Sequence, residues 1–316
     1  MQLTTFRIPA VAVIAAATLS LAGCNSGSSD AKPDSPANPS TSAAANVGPV
    51  CPLTGVPQGA GEKAGRPALA VKIDNIAPAL PQAGLNHADV VVEELVEGGL
   101  TRLMAIFQCQ SAPTVGPIRS ARISDADILA LLHGSVLGFS GANPKDLPPI
   151  VAHSEAVLIS QGNYPSAYHR DYSRPAPHNV FASTTAMLRA GVSKKHSLTA
   201  PRPLFHYGTI DPSAKPAKSV RMSWPAASAV WTWAKNRWLR TQDGSPDMTT
   251  NGRASTTNVV IMSVNIASTG LHDVLGAPSP LDVTVGSNPV WVLRDGKIIR
   301  GTWKRAGIKD SITLVD

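Results

Sequence analysis

The sequence predicts an α+β protein, with a mixed α/β N-terminal domain followed by a mainly β C-terminal domain. Two observations carry that expectation. Between residues 67 and 198, strand-like apolar runs alternate with stretches of helical spacing. From about residue 205 onward short β-rich runs recur, separated by turn dipeptides. A third observation sets the organisation: behind an export-type leader, residues 25–47 lack the apolar content of a core, so the foldable part starts near Gly48 or Pro49. The expected layout is a lipoprotein signal peptide over 1–24, a disordered tether over 25–48, an α/β domain over 49–198 and a mainly β domain over 199–316.

The leader has one cation, Arg7, then an apolar run from about Ile8 to Ala22, and ends in Leu21-Ala22-Gly23-Cys24. This is the layout of an export signal rather than a membrane span. The tetrapeptide resembles the bacterial lipobox, in which the Cys is lipidated; acyl chains such as palmitate on Cys24 would anchor the chain without a spanning helix. Residues 25–47 are mostly Ser, Ala, Pro, Asn and Gly and cannot offset the entropy of ordering. Two further thiols, Cys51 and Cys109, form an even pair in an exported chain, and a disulfide between them is expected; two buried free thiols are the alternative.

The folded part begins with Pro67–Asp74, a buried strand ending in Asp-Asn, and Pro78 and Pro81 punctuate the loop behind it. Ala88–Leu95 is β-branched and predicts a second strand, Gly98-Gly99 a tight turn, and Thr101–Gln108 a third strand closing a hairpin. Gly116-Pro117 breaks the chain before a helical run, Ile123–Gly134, with Asp125 and Asp127 in its first turns where the helix dipole favours them. Ser135–Ser140 predicts a short strand. Residues 161–181 are Pro- and Tyr-rich and predict a loop, after which Ser183-Thr184 caps a helix to about Ala190. In the C-terminal part, Asp243-Gly244, Gly286-Ser287 and Asp295-Gly296 mark turns between strands. Trp224, Trp231, Trp233 and Trp238 fit sheet packing better than a sugar platform.

The chemistry concentrates between Ala70 and Arg122, where Asp74, Asn75, Glu93, Glu94, Glu97, Arg102, Arg119 and Arg122 sit in or beside apolar strands. Charges there are costly unless paired or used. The loop at 161–181 adds His169, Arg170, Asp171, Arg174, His178 and Asn179. One reading is an anion grip: Arg102, Arg119 and Arg122, joined by His169, Arg170 and Arg174, fork onto phosphate or carboxylate because guanidinium is planar and bidentate. A second is metal-assisted hydrolysis with Asp74, Glu93, His169 and His178 as ligands, though no HEXXH, HXH or DXDXDG spacing occurs. A third pairs the glutamates with the arginines as scaffolding. No GxSxG elbow supports a serine nucleophile. The net charge of +7 suits an anionic envelope polymer, and no clustered Lys/Arg with interleaved aromatics indicates nucleic acid.

Several motifs resemble one family in combination: Cys51-Pro-Leu-Thr-Gly55, Arg66-Pro with VKIDN, Pro81-Gln-Ala-Gly-Leu, Ala88-Asp-Val-Val-Val-Glu-Glu with Glu97-Gly-Gly, Val115-Gly-Pro-Ile-Arg-Ser-Ala-Arg122 and Ala176-Pro-His-Asn179. The chain resembles the YerB-type lipoproteins, built of a DUF3048 domain and its C-terminal companion. The resemblance implies export, a lipid anchor and this two-part layout, and supplies no activity. It also implies a further strand-forming segment beyond the position of Asp316, without which the second domain would lack an edge strand.

The resulting expectation is a lipoprotein on the extracytoplasmic face of the membrane that binds an anionic envelope polymer or an envelope protein. Its candidate ligand-binding residues are Asp74, Asn75, Glu93, Glu94, Arg102, Arg119, Arg122, His169, Arg170, His178 and Asn179. No cofactor is evident; a divalent metal belongs to the alternative, a metal-dependent hydrolase of an envelope substrate. Whether the chain is an enzyme stays open at this point.

Overall fold

The computed structural model describes residues 50–58, 65–205, 208–210 and 212–316. The signal peptide, Cys24 and the tether lie outside the described residues. Few helices and many strands, with the α/β part first, make this an α+β fold.

The N-terminal half is built on five strands: β1 (Leu69–Asp74), β2 (Val90–Leu95), β3 (Thr101–Phe107), β4 (Val136–Phe139) and β5 (Val157–Ser160). They lie in the order β2-β3-β1-β4-β5. β1 pairs antiparallel with β3 and parallel with β4, which pairs parallel with β5. β1 can be central because both its faces are covered, so it reads as an unbroken buried run. One face packs Ala70, Met104, Ile106 and Leu137 against α1 (Asp125–Ala130) and α2 (Leu147–Ser154). The other packs Leu69, Val71, Leu103 and Phe107 against Met187 of α3 (Thr184–Lys194). The Ser183 side chain accepts from the Ala186 N–H at 3.1 Å and caps α3.

Three expectations need correction. The Ile123–Gly134 helix is only α1, Asp125–Ala130, because His133 and Gly134 take positive φ and stop it. The stretch 161–181 is not all loop: β6 (Tyr168–Arg170) and β7 (Val180–Ala182) pair antiparallel within it, strands too short for their periodicity to show among the prolines. Gly286-Ser287 is not a turn but the start of a strand, Gly286–Arg294.

The segment Val115–Ala121 fixes the position of the site. It enters where β1 and β4 part at their carboxyl ends. The Asp74 N–H donates to Pro117 O at 2.9 Å and the Arg119 N–H to Lys72 O at 2.9 Å, while Ser140 N–H, just past β4, donates to Arg119 O at 3.0 Å. Gly116 is required here: at φ +148° a Cβ would fall 2.7 Å from Val180 O and 2.6 Å from the Phe181 ring.

The C-terminal half is β throughout. One sheet carries Ser219–Trp224, Ala227–Ala234 and Arg237–Gln242, and another Asn258–Met262, Gly286–Arg294 and Lys297–Arg305. Trp238 is buried between them with Val259 and Leu293, and Trp233 lies 5.3 Å from it, so this pair serves as core. Cys51 and Cys109 are joined, with Cα atoms 5.9 Å apart. Among the described residues no helix is long and apolar enough to cross a membrane.

Candidate anion-binding site

Register places three charges in one row. Asp74 of β1 and Glu94 of β2 lie opposite Arg102 of β3, so all three side chains emerge on the face under α1 and α2. Lys72, two residues back on β1, shares that face and is wholly buried. Its Nζ pairs with Glu94 and lies 2.8 Å from Asp125 Oδ1. Burial works against the ammonium, but Asp125 and Glu94 outweigh it and hold its pKa above the ordinary value. With one cation for two acids, burial and the neighbouring Asp125 push Glu94 well above the usual carboxylate range. Asp125, expected to serve the helix dipole, is instead sealed beneath this lysine.

At the carboxyl end of β1 the balance reverses. Asp74 is 3% exposed, and its Oδ2 lies 3.0 Å from Arg119 Nε and 2.6 Å from His178 Nδ1. Arg122 pairs with Glu97, whose carboxyl is also donated to by the Ser279 hydroxyl at 2.6 Å. Burial alone would raise Glu97, but these two partners bring it below its usual value. Arg102 is different. It is 9% exposed, it donates to one backbone carbonyl, Ser120 O at 3.3 Å, and no carboxylate pairs with it among the described residues. Desolvation, then repulsion from Arg122 and Arg119, lowers its pKa to about 10. Three guanidiniums thus crowd together with two acids between them.

The expected residues divide among four places. Asp74, Arg102, Arg119, Arg122 and His178 come together as described. Glu93 and Asn75 face the other side of the sheet and join the seam with the C-terminal half: Arg240 donates to both Glu93 oxygens at 2.8 and 2.9 Å, and Asn75 donates to Glu93 at 3.1 Å and Thr101 at 2.7 Å. Glu94 belongs to the Lys72 cluster. His169 and Arg170 are the exposed residues of β6, where His169 stacks on Phe181 and Arg170 donates to Asn179 Oδ1 at 2.7 Å. An open cavity of about 530 Å³ lies there, lined by Ser140, Gln161, Tyr168, His169 and Arg170 at the carboxyl ends of β4 and β5. Such ends are where ligands enter parallel sheets.

The four metal candidates do not converge: Asp74 and His178 touch, Glu93 faces Arg240 and His169 lies on Phe181. Among the described residues no group of three His, Cys, Asp or Glu side chains is gathered as a cation site. The scaffolding expectation holds for Glu97 with Arg122, while Glu93 and Glu94 pair with Arg240 and Lys72 rather than with the three arginines. Sequence reasoning missed Lys72, Arg240 and Asp247. A lysine inside an otherwise apolar strand was the visible signal for the first. The other two lie far along the chain, with nothing local to link them to Glu93.

A profile described as "Protein of unknown function (DUF3048) N-terminal domain" matches residues 53–197, and one described as "Protein of unknown function (DUF3048) C-terminal domain" matches 219–316. The chain is 29% identical over 271 residues to a Bacillus subtilis (strain 168) protein described as putative lipoprotein YerB, covering 80% of this chain and 77% of that one. It is also similar to the crystal structure of the YerB protein from Bacillus subtilis, with a TM-score of 0.69 and 25% identity over 84% of this chain and 90% of the other.

Proposed function

From the premise that the chain belongs to the DUF3048 family, carrying both its N- and C-terminal domains, we propose that it is a membrane-anchored lipoprotein that binds an anionic component of the cell envelope. Anchoring through lipidated Cys24 on the extracytoplasmic face is supported by the leader's layout and by the description of the Bacillus subtilis relative as a putative lipoprotein. The ligand grip is Arg102, Arg119 and Arg122.

The observation that carries this reading is Arg102. A guanidinium has five donors. Here it is nine-tenths buried, uses one weak backbone contact, and stands beside two other guanidiniums. Burying a cation without a counter-ion is unfavourable, and an incoming phosphate or carboxylate would supply that counter-ion. A purely structural network would pair the arginine, as Arg240 is paired with Glu93 and Asp247.

The test is retention of purified envelope polymers on the detergent-solubilised full chain. Anionic polymers should be retained and lose retention as salt rises. Equal retention of neutral polymers would contradict the reading.

A further inference from the structure

The loop carrying His178 is fastened on several sides. Arg174 donates to Ala79 O at 3.1 Å and Pro81 O at 2.8 Å; the Asp171 N–H donates to Asn179 O at 2.9 Å, and the His178 N–H to Pro175 O at 2.9 Å. This holds the imidazole on Asp74 with Nδ1 2.6 Å from Oδ2. A carboxylate oxygen accepts, so in the neutral imidazole the hydrogen sits on Nδ1 and the lone pair on Nε2. Nε2 has no protein partner among the described residues, and the side chain is 12% exposed. A carboxylate that fixes the tautomer and aims the free nitrogen outward is how an imidazole is prepared to take a proton.

We propose that His178, positioned by Asp74, is a general base acting on a phosphodiester held by Arg102 and Arg119. The inference rests on the anion-binding reading and names its substrate class. Arg119 and His178 approach the same oxygen of Asp74, so the cation and the base are immediate neighbours. The group that carries the ligand's negative charge is therefore also the group beside the base. In a phosphodiester these coincide, because the charge sits on the phosphorus centre under attack; in a carboxylate ligand the charge would be removed from any bond being broken. No serine or threonine hydroxyl bonds to Nε2 among the described residues, so the nucleophile is water. Nε2 takes one proton from it, its oxygen forms the new bond to phosphorus, and the bond from phosphorus to the leaving oxygen breaks. The imidazolium then returns the proton to that oxygen, giving a phosphomonoester and an alcohol. The guanidiniums stabilise the charge that builds on the phosphoryl oxygens.

The experiment uses the detergent-solubilised full chain with bis(p-nitrophenyl) phosphate, measuring binding and release of nitrophenolate separately. The expected result is hydrolysis that His178→Gln reduces by about 10²-fold or more, with diester binding kept. His178→Ala should regain part of its rate with added imidazole, which a merely structural histidine would not allow. Binding without hydrolysis, or hydrolysis unchanged in His178→Gln, would overturn this inference and leave the anion-binding reading standing. Absence of diester binding with anionic polymers still retained would likewise overturn this inference alone, and loss of both would overturn the anion-binding reading as well.

Discussion

Asp146 lies at the start of α2, 1% exposed, with neither carboxyl oxygen hydrogen-bonded among the described residues. Burial pushes its pKa up to about 6; Arg122 opposes this, while Glu97 and Asp125 add to it. Since the folded value lies above the ordinary 3.8, the folded state holds a proton that the unfolded state has lost between those values. The stability contributed by protonated Asp146 is therefore complete below about pH 4 and is lost as pH rises through about 6. Asp282, also raised to about 6 by burial, acts in the same sense at the seam between the halves. The replacement Asp146→Asn should flatten this part of the profile and make the protein more stable than wild type at pH 7.5, with a smaller difference at pH 4.5. Urea denaturation at the two pH values checks it; a variant less stable at both would show that the carboxylate has a partner that matters. Arg102 is the cationic counterpart of Asp146, a buried charge left uncompensated. Its replacement by Gln should cost no stability while weakening anion binding, the pattern expected where function is maintained against stability.

At the level of elements, α3 shows packing overriding propensity. Gly191 is buried against β4, and an added Cβ would fall 2.3 and 2.8 Å from the two γ-methyls of Val136. Alanine in a helix interior is favoured over glycine by about 1 kcal/mol. Overpacking against a fully buried β-branched side chain costs about 1–3 kcal/mol, so the clash wins. The variant Gly191→Ala should lower the thermal midpoint, and a rise would mean that α3 can slide off the sheet. How far the elements could be read from sequence follows the same division. β1, β2 and β3 and the hairpin turn between the last two were legible because local pattern and burial agree. β6 and β7 were not, since strands of three residues are held by pairing across the molecule, as when Val115 N–H donates to Ala182 O. At the site, the concentration of charge and the contribution of the His178 loop were visible in the sequence. The partners were not: Asp125 looked like a helix-start acid and proved to be the buried counter-ion of Lys72.

Across the whole molecule, the two halves meet on the face of β2 and β3 that presents Glu93. Arg240, inside the C-terminal half, bonds both Glu93 and Asp247, and these acids raise its pKa over the opposing effect of burial. Thr249 accepts from Asn86 at 3.2 Å, Thr284 donates to Asp127 at 2.7 Å, and the Ala226 N–H donates to Gly99 O at 2.9 Å. The C-terminal half thus closes over one side of the charged row, where Ser279 bonds Glu97 and Thr284 bonds Asp127. Breaking a buried pair from one side costs about 3–5 kcal/mol, because the partner charges stay behind. The variant Arg240→Met should therefore loosen the C-terminal half first. All six tryptophans lie beyond residue 220, so their fluorescence follows that half alone. Its urea transition should move to lower concentration and separate from hydrogen-exchange loss in β1; coincident transitions would show that the seam carries little energy. The measurement that bears most directly on the central claim is equilibrium binding of a polyol-phosphate polymer, with the uncharged polyol as reference, to the detergent-solubilised full chain and to its Arg102→Gln variant. A charge-assisted hydrogen bond contributes about 1.5–3 kcal/mol, so the variant should lose about 10- to 100-fold in affinity, wild-type binding should weaken with salt, and the uncharged polyol should not bind. Equal affinity for both polymers, or an Arg102→Gln variant that binds as well as wild type, would contradict it.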